Sequence, residues 1–245
     1  MTALGSQDLA GRAVLVAGGG SGMGAAVCHE LAVDGADVAV LDDDHHAACG
    51  TARRIAAIGG SAAAYVAPRH DELALASAIR HVARDHGRLD ALVHCASIDS
   101  GTLPMHGAAD PCDASVQALL RSTLLHARLA LPYLRRADTG RIVSVITVSQ
   151  PAHPVASHGL RADQWALLGL SDALARALQR ERIEVTAIVA SDDLPARNGT
   201  GPGLHEVVCA CDPLEVALAV RDALAPHALN AASVRRGAVG TGLNA

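Results

Sequence analysis

A short apolar run, Val14-Leu15-Val16-Ala17, ends in the glycine-rich turn Gly18-Gly19-Gly20-Ser21-Gly22-Met23-Gly24. The helical pattern of Ala25, Ala26, Val27 and Leu31 follows directly. Glycine suits such a turn because it accepts positive φ and has no Cβ to hold a ligand away from the backbone. The free N–H groups at the start of the next helix, with the positive end of its dipole, make a place for a phosphate. A glycine triplet alone also occurs in purely structural turns. Here it stands between strand and helix signals, and Val38-Ala39-Val40-Leu41-Asp42 sets an acid at the end of a second strand. That order is what a dinucleotide-binding unit requires.

Strand and helix signals alternate along the rest of the chain. Strands are expected near 13–17, 37–41, 61–67, 89–95, 141–147, 183–190 and 234–239, and helices near 23–34, 45–58, 72–86, 114–136, 160–181 and 213–225. The strands are continuous apolar or β-branched runs, such as Ile142-Val143-Ser144-Val145-Ile146, which suits a parallel sheet covered on both faces. The expected fold is α/β: one Rossmann-type domain over 1–245, with a doubly wound seven-stranded parallel sheet between two helical layers. The segment 191–211, with Pro195, Gly199, Gly201, Pro202 and Gly203, is expected to be a long flexible loop beside a substrate.

Composition removes several function classes. A net charge of −5 lacks the basic footprint of a nucleic-acid binder. No apolar run approaches membrane-spanning length, and Met1 to Ser6 has no signal-peptide core, so a cytoplasmic protein is expected. The cysteines at 28, 49, 95, 112, 209 and 211 lack zinc-ligand spacing and read as reduced thiols. No metal is expected: Asp42-Asp43-Asp44-His45-His46 is metal-like in composition only, and Cys209-Ala210-Cys211 has no partner ligands. The strongest restriction is that the chain contains no lysine, every Lys or Arg being arginine.

Gly18-x-x-x-Gly22-x-Gly24, the segment Gly87 to Ser97 around a central strand, Gly140-Arg141-Ile142-Val143, the helix from Asp163 to Leu178 and Asp212-Pro213-Leu214-Glu215-Val216-Ala217 occur in a fixed order. Together they resemble the short-chain dehydrogenase/reductase family over nearly the whole chain. The resemblance implies hydride transfer between nicotinamide and a carbonyl or alcohol. In that reaction a tyrosine carries the proton, a lysine lowers its pKa, a serine polarises the oxygen and an asparagine supports the lysine. Counted from Gly140, the serine position is Thr147, the tyrosine position Leu160 and the lysine position Gln164; counted back from Leu131-Pro132, the asparagine position is Leu119. Leucine transfers no proton and glutamine carries no charge. Tyr65, on the expected third strand, and Tyr133, at the end of a long helix, stand elsewhere. Losing a positioned acid–base group costs ~10²–10⁴-fold in rate.

The polar groups left for another chemistry are Thr147, His94, His153, Gln164 and Asp192. On the nucleotide side the resemblance implicates Gly18, Ser21, Gly22, Met23, Gly24, Asp42 and Ala96. Asp42 would favour an unphosphorylated ribose, hence NAD(H) over NADP; a solvated strand-end acid explains it as well, and whether any nucleotide binds stays open. The acid that meets adenine in the family is replaced by Pro68, with Arg69 next to it. The resemblance also implies assembly through the two long helices, as a homodimer or homotetramer, or as a hetero-oligomer with an active relative. Three functions follow: a small-molecule pocket repurposed for cyclisation, dehydration or isomerisation; a pseudoenzyme supporting an active partner; or an oxidoreductase with an unorthodox proton donor. The first is preferred, because polar residues gather at several strand ends.

Overall fold

The computed structural model describes residues 8–96, 111–147, 157–190, 204–209 and 212–225. In chain order the elements are β1 (Ala13–Ala17), α1 (Gly22–Val33), β2 (Asp37–Asp42), α2 (His45–Ala57), β3 (Ser61–Val66), α3 (Glu72–Asp85), β4 (Ala91–Ala96), α4 (Pro111–Leu134), β5 (Gly140–Thr147), α5 (Ser157–Leu178), β6 (Ile183–Ala190), β7 (Leu204–Cys209) and α6 (Pro213–Leu224). The seven strands form one sheet in the order β3-β2-β1-β4-β5-β6-β7, and every pairing is parallel. The order reverses direction between β1 and β4, the place where an open parallel sheet leaves a crevice for a ligand.

Two cores follow from the strand pleat. Leu15, Leu92, Ile142 and Ile146 face a layer made by α3, α4 and α5, where they meet Leu75, Ile79, Leu134, Leu167 and Leu178. The alternate residues Val14, Val16, Val93 and Val145 face α1, α2 and α6, against Val27, Leu31, Ile55 and Val220. Successive side chains of a strand point to opposite faces, so an all-apolar strand feeds both layers. Without phenylalanine, both cores are packed with Ala, Val, Leu and Ile.

The expected elements are present with small shifts at their ends, with one correction. The seventh strand is Leu204–Cys209, inside the segment read as a loop; its register runs from Val185↔Leu204 to Ala190↔Cys209 against β6. The Gly and Pro residues at 199–203 signal irregular backbone, and that signal was carried too far into the apolar run Leu204-His205-Glu206-Val207-Val208-Cys209. Leu204 and Cys209 are buried, so the strand closes an edge of the core. The strand expected at 234–239 lies outside the described residues.

Candidate nucleotide and small-molecule site

The glycine turn is pinned to the end of β2: Gly18 and Gly19 both donate their N–H to the Leu41 carbonyl, at 2.8 and 3.2 Å. Gly18 has φ +79°, and a Cβ there would also lie 2.7 Å from the Cys95 carbonyl oxygen. At Gly24 a Cβ would sit 1.9 Å from the Gly18 carbonyl oxygen, so α1 can start this close to the turn only with glycine. Gly22, at φ +51°, has nothing near its missing Cβ. The turn is tight underneath and open on top.

That open side coincides with an unsatisfied helix start. Helices α2, α3 and α6 are each capped by an aspartate, Asp44, Asp71 and Asp212, which accepts two backbone N–H bonds of the first turn. Ser21 makes no such bond at the start of α1, and the first turn of α1 holds no acid. Its N–H groups and its dipole remain available to an anion.

The acidic cluster resolves into separate tasks. Asp42 accepts the Gly20 N–H through Oδ2 at 2.8 Å and the Asp44 N–H through Oδ1 at 3.1 Å, so it holds the turn from the side. Thr51 adds a bond from its hydroxyl to the Gly20 carbonyl at 2.8 Å. Asp43 pairs with Arg69 at 2.8 Å, and that guanidinium lowers the Asp43 pKa. Asp42 is thus more than a solvated strand-end acid. Among the described residues no group of three or more His, Cys, Asp or Glu side chains could hold a metal ion.

These elements border a cleft of about 620 Å³ at the carboxyl ends of the strands, which brings Gly18, Ser21, Gly22, Met23, Gly24, Asp42, His94 and Thr147 to one site. Of the other candidates, Ala96 ends β4, Leu160 and Gln164 lie on the backbone of α5, and His153 and Asp192 are outside the described residues. Leu119, which the resemblance sets at the asparagine position, lines the cleft and packs on the core. His94 is buried, with Nε2 3.4 Å from Ser122 Oγ and Nδ1 3.3 Å from Thr123 Oγ1. Burial, then His126 and Arg69, drives its pKa well below the ordinary value, so the ring is neutral near pH 7.

Both tyrosines are engaged elsewhere. Tyr65 donates to Asp85 Oδ2 at 3.2 Å and lies 3.2 Å from His86 Nε2, and His86 in turn meets Asp37 at the start of β2. Burial and the Asp85 charge push its pKa up to about 12. Tyr133 lies under the Arg136 guanidinium and lines a different recess, with Leu89 and Asp138.

Apart from Leu119, sequence reasoning missed the inner wall of the cleft. Ala118, Leu119, Ser122 and His126 all line it from α4. Their spacing of three and four residues puts them on one helix face. The His126 ring lies beside that of His94, tilted by 56° with centroids 5.1 Å apart. The spacing is visible in the sequence, but its meaning depends on α4 lying over β4.

The family model for short chain dehydrogenases matches residues 12–192. The chain belongs to the short-chain dehydrogenase family. A probable galactose dehydrogenase of Rhizobium meliloti is 30% identical over 191 residues, covering 74% of this chain and 72% of that protein. A dehydrogenase/reductase from Sinorhizobium meliloti superposes with a TM-score of 0.70 at 30% identity, covering 90% of each chain. A short chain dehydrogenase from Burkholderia cenocepacia, solved in complex with NADP, gives 0.70 at 28% identity, covering 90% of this chain and 93% of its own. Within this short-chain dehydrogenase the matched region carries β1 to β6 and α1 to α5, while β7 and α6 lie beyond it. Among the described residues, no helix is long and apolar enough to cross a membrane.

Proposed function

We propose that this short-chain dehydrogenase keeps a nucleotide site and uses the adjoining pocket for non-redox chemistry on a small molecule, such as isomerisation, dehydration or cyclisation. The observation that carries the reading is the placement of proton carriers. The chain has no lysine, and its two tyrosines are bonded away from the cleft, Tyr65 to Asp85 and Tyr133 beneath Arg136. The tyrosine and lysine positions hold Leu160 and Gln164. Hydride delivered to a carbonyl without a proton leaves an unstabilised alkoxide, which no remaining group at those positions can neutralise.

The residues present fit the phosphate and ribose portion of NAD(H). The uncapped start of α1 and the open face of Gly22 suit a pyrophosphate, and Asp42 suits a ribose diol. A ribose 2′-phosphate would meet Asp42, Asp43 and Asp44, so NAD(H) is favoured over NADP. When bound, a nicotinamide supplies a hydride donor or acceptor; the chain's own Thr147, Gln164, His153 and Asp192 supply polar contacts to the small molecule.

Calorimetric titration with NAD, NADH, NADP and NADPH, beside a reductase screen on generic carbonyls that includes galactose-derived lactone, tests this. Expected are binding of NAD or NADH and no turnover. Steady NAD(P)H consumption would overturn the non-redox reading and point to an unorthodox proton donor. No binding at millimolar nucleotide would overturn the cradle.

A second reading, support of an active relative, is favoured by Leu124 on α4 and Trp165 on α5. Each is 47% exposed on one of the two helices expected to mediate a homodimer or homotetramer. Solution mass alone and after mixing with an active short-chain reductase separates self-assembly from a hetero-oligomer.

A further inference from the structure

Hydrogen bonds on the inner wall fix the tautomer of each histidine. His126 Nδ1 lies 2.7 Å from the Ser122 carbonyl oxygen, and a carbonyl only accepts, so Nδ1 carries the hydrogen. Thr123 spends its hydroxyl hydrogen on the Leu119 carbonyl at 2.9 Å and therefore accepts from His94 Nδ1. His94 Nε2 is then an acceptor, and Ser122 Oγ donates to it at 3.4 Å. A ring that gives its Nδ1 hydrogen to a main-chain carbonyl is held in one orientation and keeps a basic lone pair on Nε2. At His126 that lone pair has no protein partner among the described residues. Nor is it one of their solvent-sealed orphans, which are Ser144 Oγ, Ser171 Oγ and Asp172 Oδ1. His126 is 4% exposed and lines the cleft, so its one free polar atom opens into that space.

The seat of the ring is set by its neighbours. His126 lies against His94 on β4, which is in register with Ala17 of β1 on one side and Ser144 of β5 on the other. Thr147, three residues beyond Ser144, ends β5 about 10 Å along the strand and borders the same cleft. Ala118 and Leu119, two turns earlier on α4, add apolar surface to the wall. A small molecule in this half of the cleft can therefore meet both the Nε2 lone pair and the end of β5.

The surroundings favour the unprotonated ring. Burial lowers the His126 pKa most, the Ser122 carbonyl raises it, and Arg69 and His70, which follow β3, lower it again. Arg69 is itself paired with Asp43, and the His94 ring alongside is held neutral by its own burial. Near pH 7 the Nε2 atom takes a proton and has none to give. That suits the deprotonation of a carbon acid and not the protonation of an alkoxide.

We propose that His126 is a catalytic base whose Nε2 removes a proton from a carbon acid in the cleft, a small molecule with a C–H bond beside a carbonyl. The inference rests on the reading that this pocket performs non-redox chemistry on a small molecule. In the step the C–H bond breaks and an Nε2–H bond forms. The electron pair enters a carbon–carbon double bond, and the carbonyl oxygen takes the negative charge as an enolate. In a β,γ-unsaturated carbonyl, return of the proton to the γ carbon shifts the double bond. In a β-hydroxy carbonyl, delivery of the proton to the hydroxyl releases water.

The probe is 5-nitrobenzisoxazole, a flat carbon acid that reacts with a base alone and needs no cofactor. Loss of its ring C–H proton forms a nitrile as the N–O bond breaks, and the electron pair leaves on a coloured phenolate. Wild-type kcat/KM should exceed that of His126→Leu by about 10²-fold, the low end for a positioned base. His126→Gln, which stays polar but has no basic nitrogen, should lose the activity equally and serves if the leucine variant does not fold. The wild-type rate should rise through an inflection below about pH 6.5 and stay level at neutral pH, and both variants should lack that inflection. Equal rates in wild type and both variants, or a wild-type rate no greater than that of free imidazole at the same concentration, would overturn the role of His126 without touching the non-redox reading. Carbonyl reduction by NADH would overturn that reading, and with it the carbon acid as substrate, even where the elimination persists.

Discussion

On the β1–β2 side of the cleft the groups are tied to main chain. Gly18 and Gly19 bond to Leu41, Asp42 holds the Gly20 N–H, and Thr51 holds the Gly20 carbonyl. On the β4–α4 side they are tied mainly to one another, with His94 meeting Ser122 and Thr123, and Ser122 meeting His126. A residue that fixes backbone geometry cannot change without moving the fold. A side chain that projects from a finished strand or helix can be exchanged if its neighbours repack. Such a difference would let the fingerprint of a family persist even where the side chains lining the rest of the cleft are exchanged.

Substitutions on the two sides should therefore behave differently. The largest effect is expected from Gly24→Ala, whose Cβ would sit 1.9 Å from the Gly18 carbonyl oxygen. A loss of about 3 kcal/mol or more in chemical denaturation is expected. A variant within about 1 kcal/mol of wild type would show that the turn relaxes easily and would erase the contrast. Next comes Asp42→Ala, which frees the Gly20 and Asp44 N–H groups together. It should cost about 1–3 kcal/mol of stability and roughly 10-fold or more in NAD affinity, read by denaturation and calorimetry on one preparation.

The inner wall should reveal itself through pH. Burial lowers the folded-state pKa of both His94 and His126, so in mild acid the unfolded chain takes up protons that the folded chain refuses. Their contribution is complete above the unfolded value of about 6.5 and is lost as pH falls below it, by up to about 1.4 kcal/mol per pH unit for each ring. Urea midpoints from about pH 7 to pH 5 should fall, and His126→Leu should flatten that slope by about one proton. An unchanged slope would mean that the ring is already protonated in the fold. The smallest effect on stability belongs to Thr147→Val, a half-buried residue at the end of β5, expected to cost within about 1 kcal/mol while impairing whatever reaction the pocket performs.

The same difference decides what the sequence could reveal. Val14 to Gly24 and the alternating apolar runs specify backbone, and backbone follows local rules, so the sheet and both helical layers were legible. The strand Leu204–Cys209 was not, because six residues behind a Gly- and Pro-rich stretch carry too little periodicity to stand out. Asp42 could be placed at a strand end, yet its bond to the Gly20 N–H depends on how β1 and β2 align. His126 was one of thirteen histidines until the packing of α4 on β4 brought it beside His94.

The proposed separation of a retained nucleotide side from a non-redox pocket is tested most directly by label transfer. The protein, in excess over NADH carrying deuterium at its transferable position, is incubated with a panel of aldehydes, ketones and sugar lactones, and products are examined by mass spectrometry. NADH should bind and no product should carry the label. Deuterium on the carbinol carbon of any product, formed only when the protein is present, would contradict the proposed non-redox function.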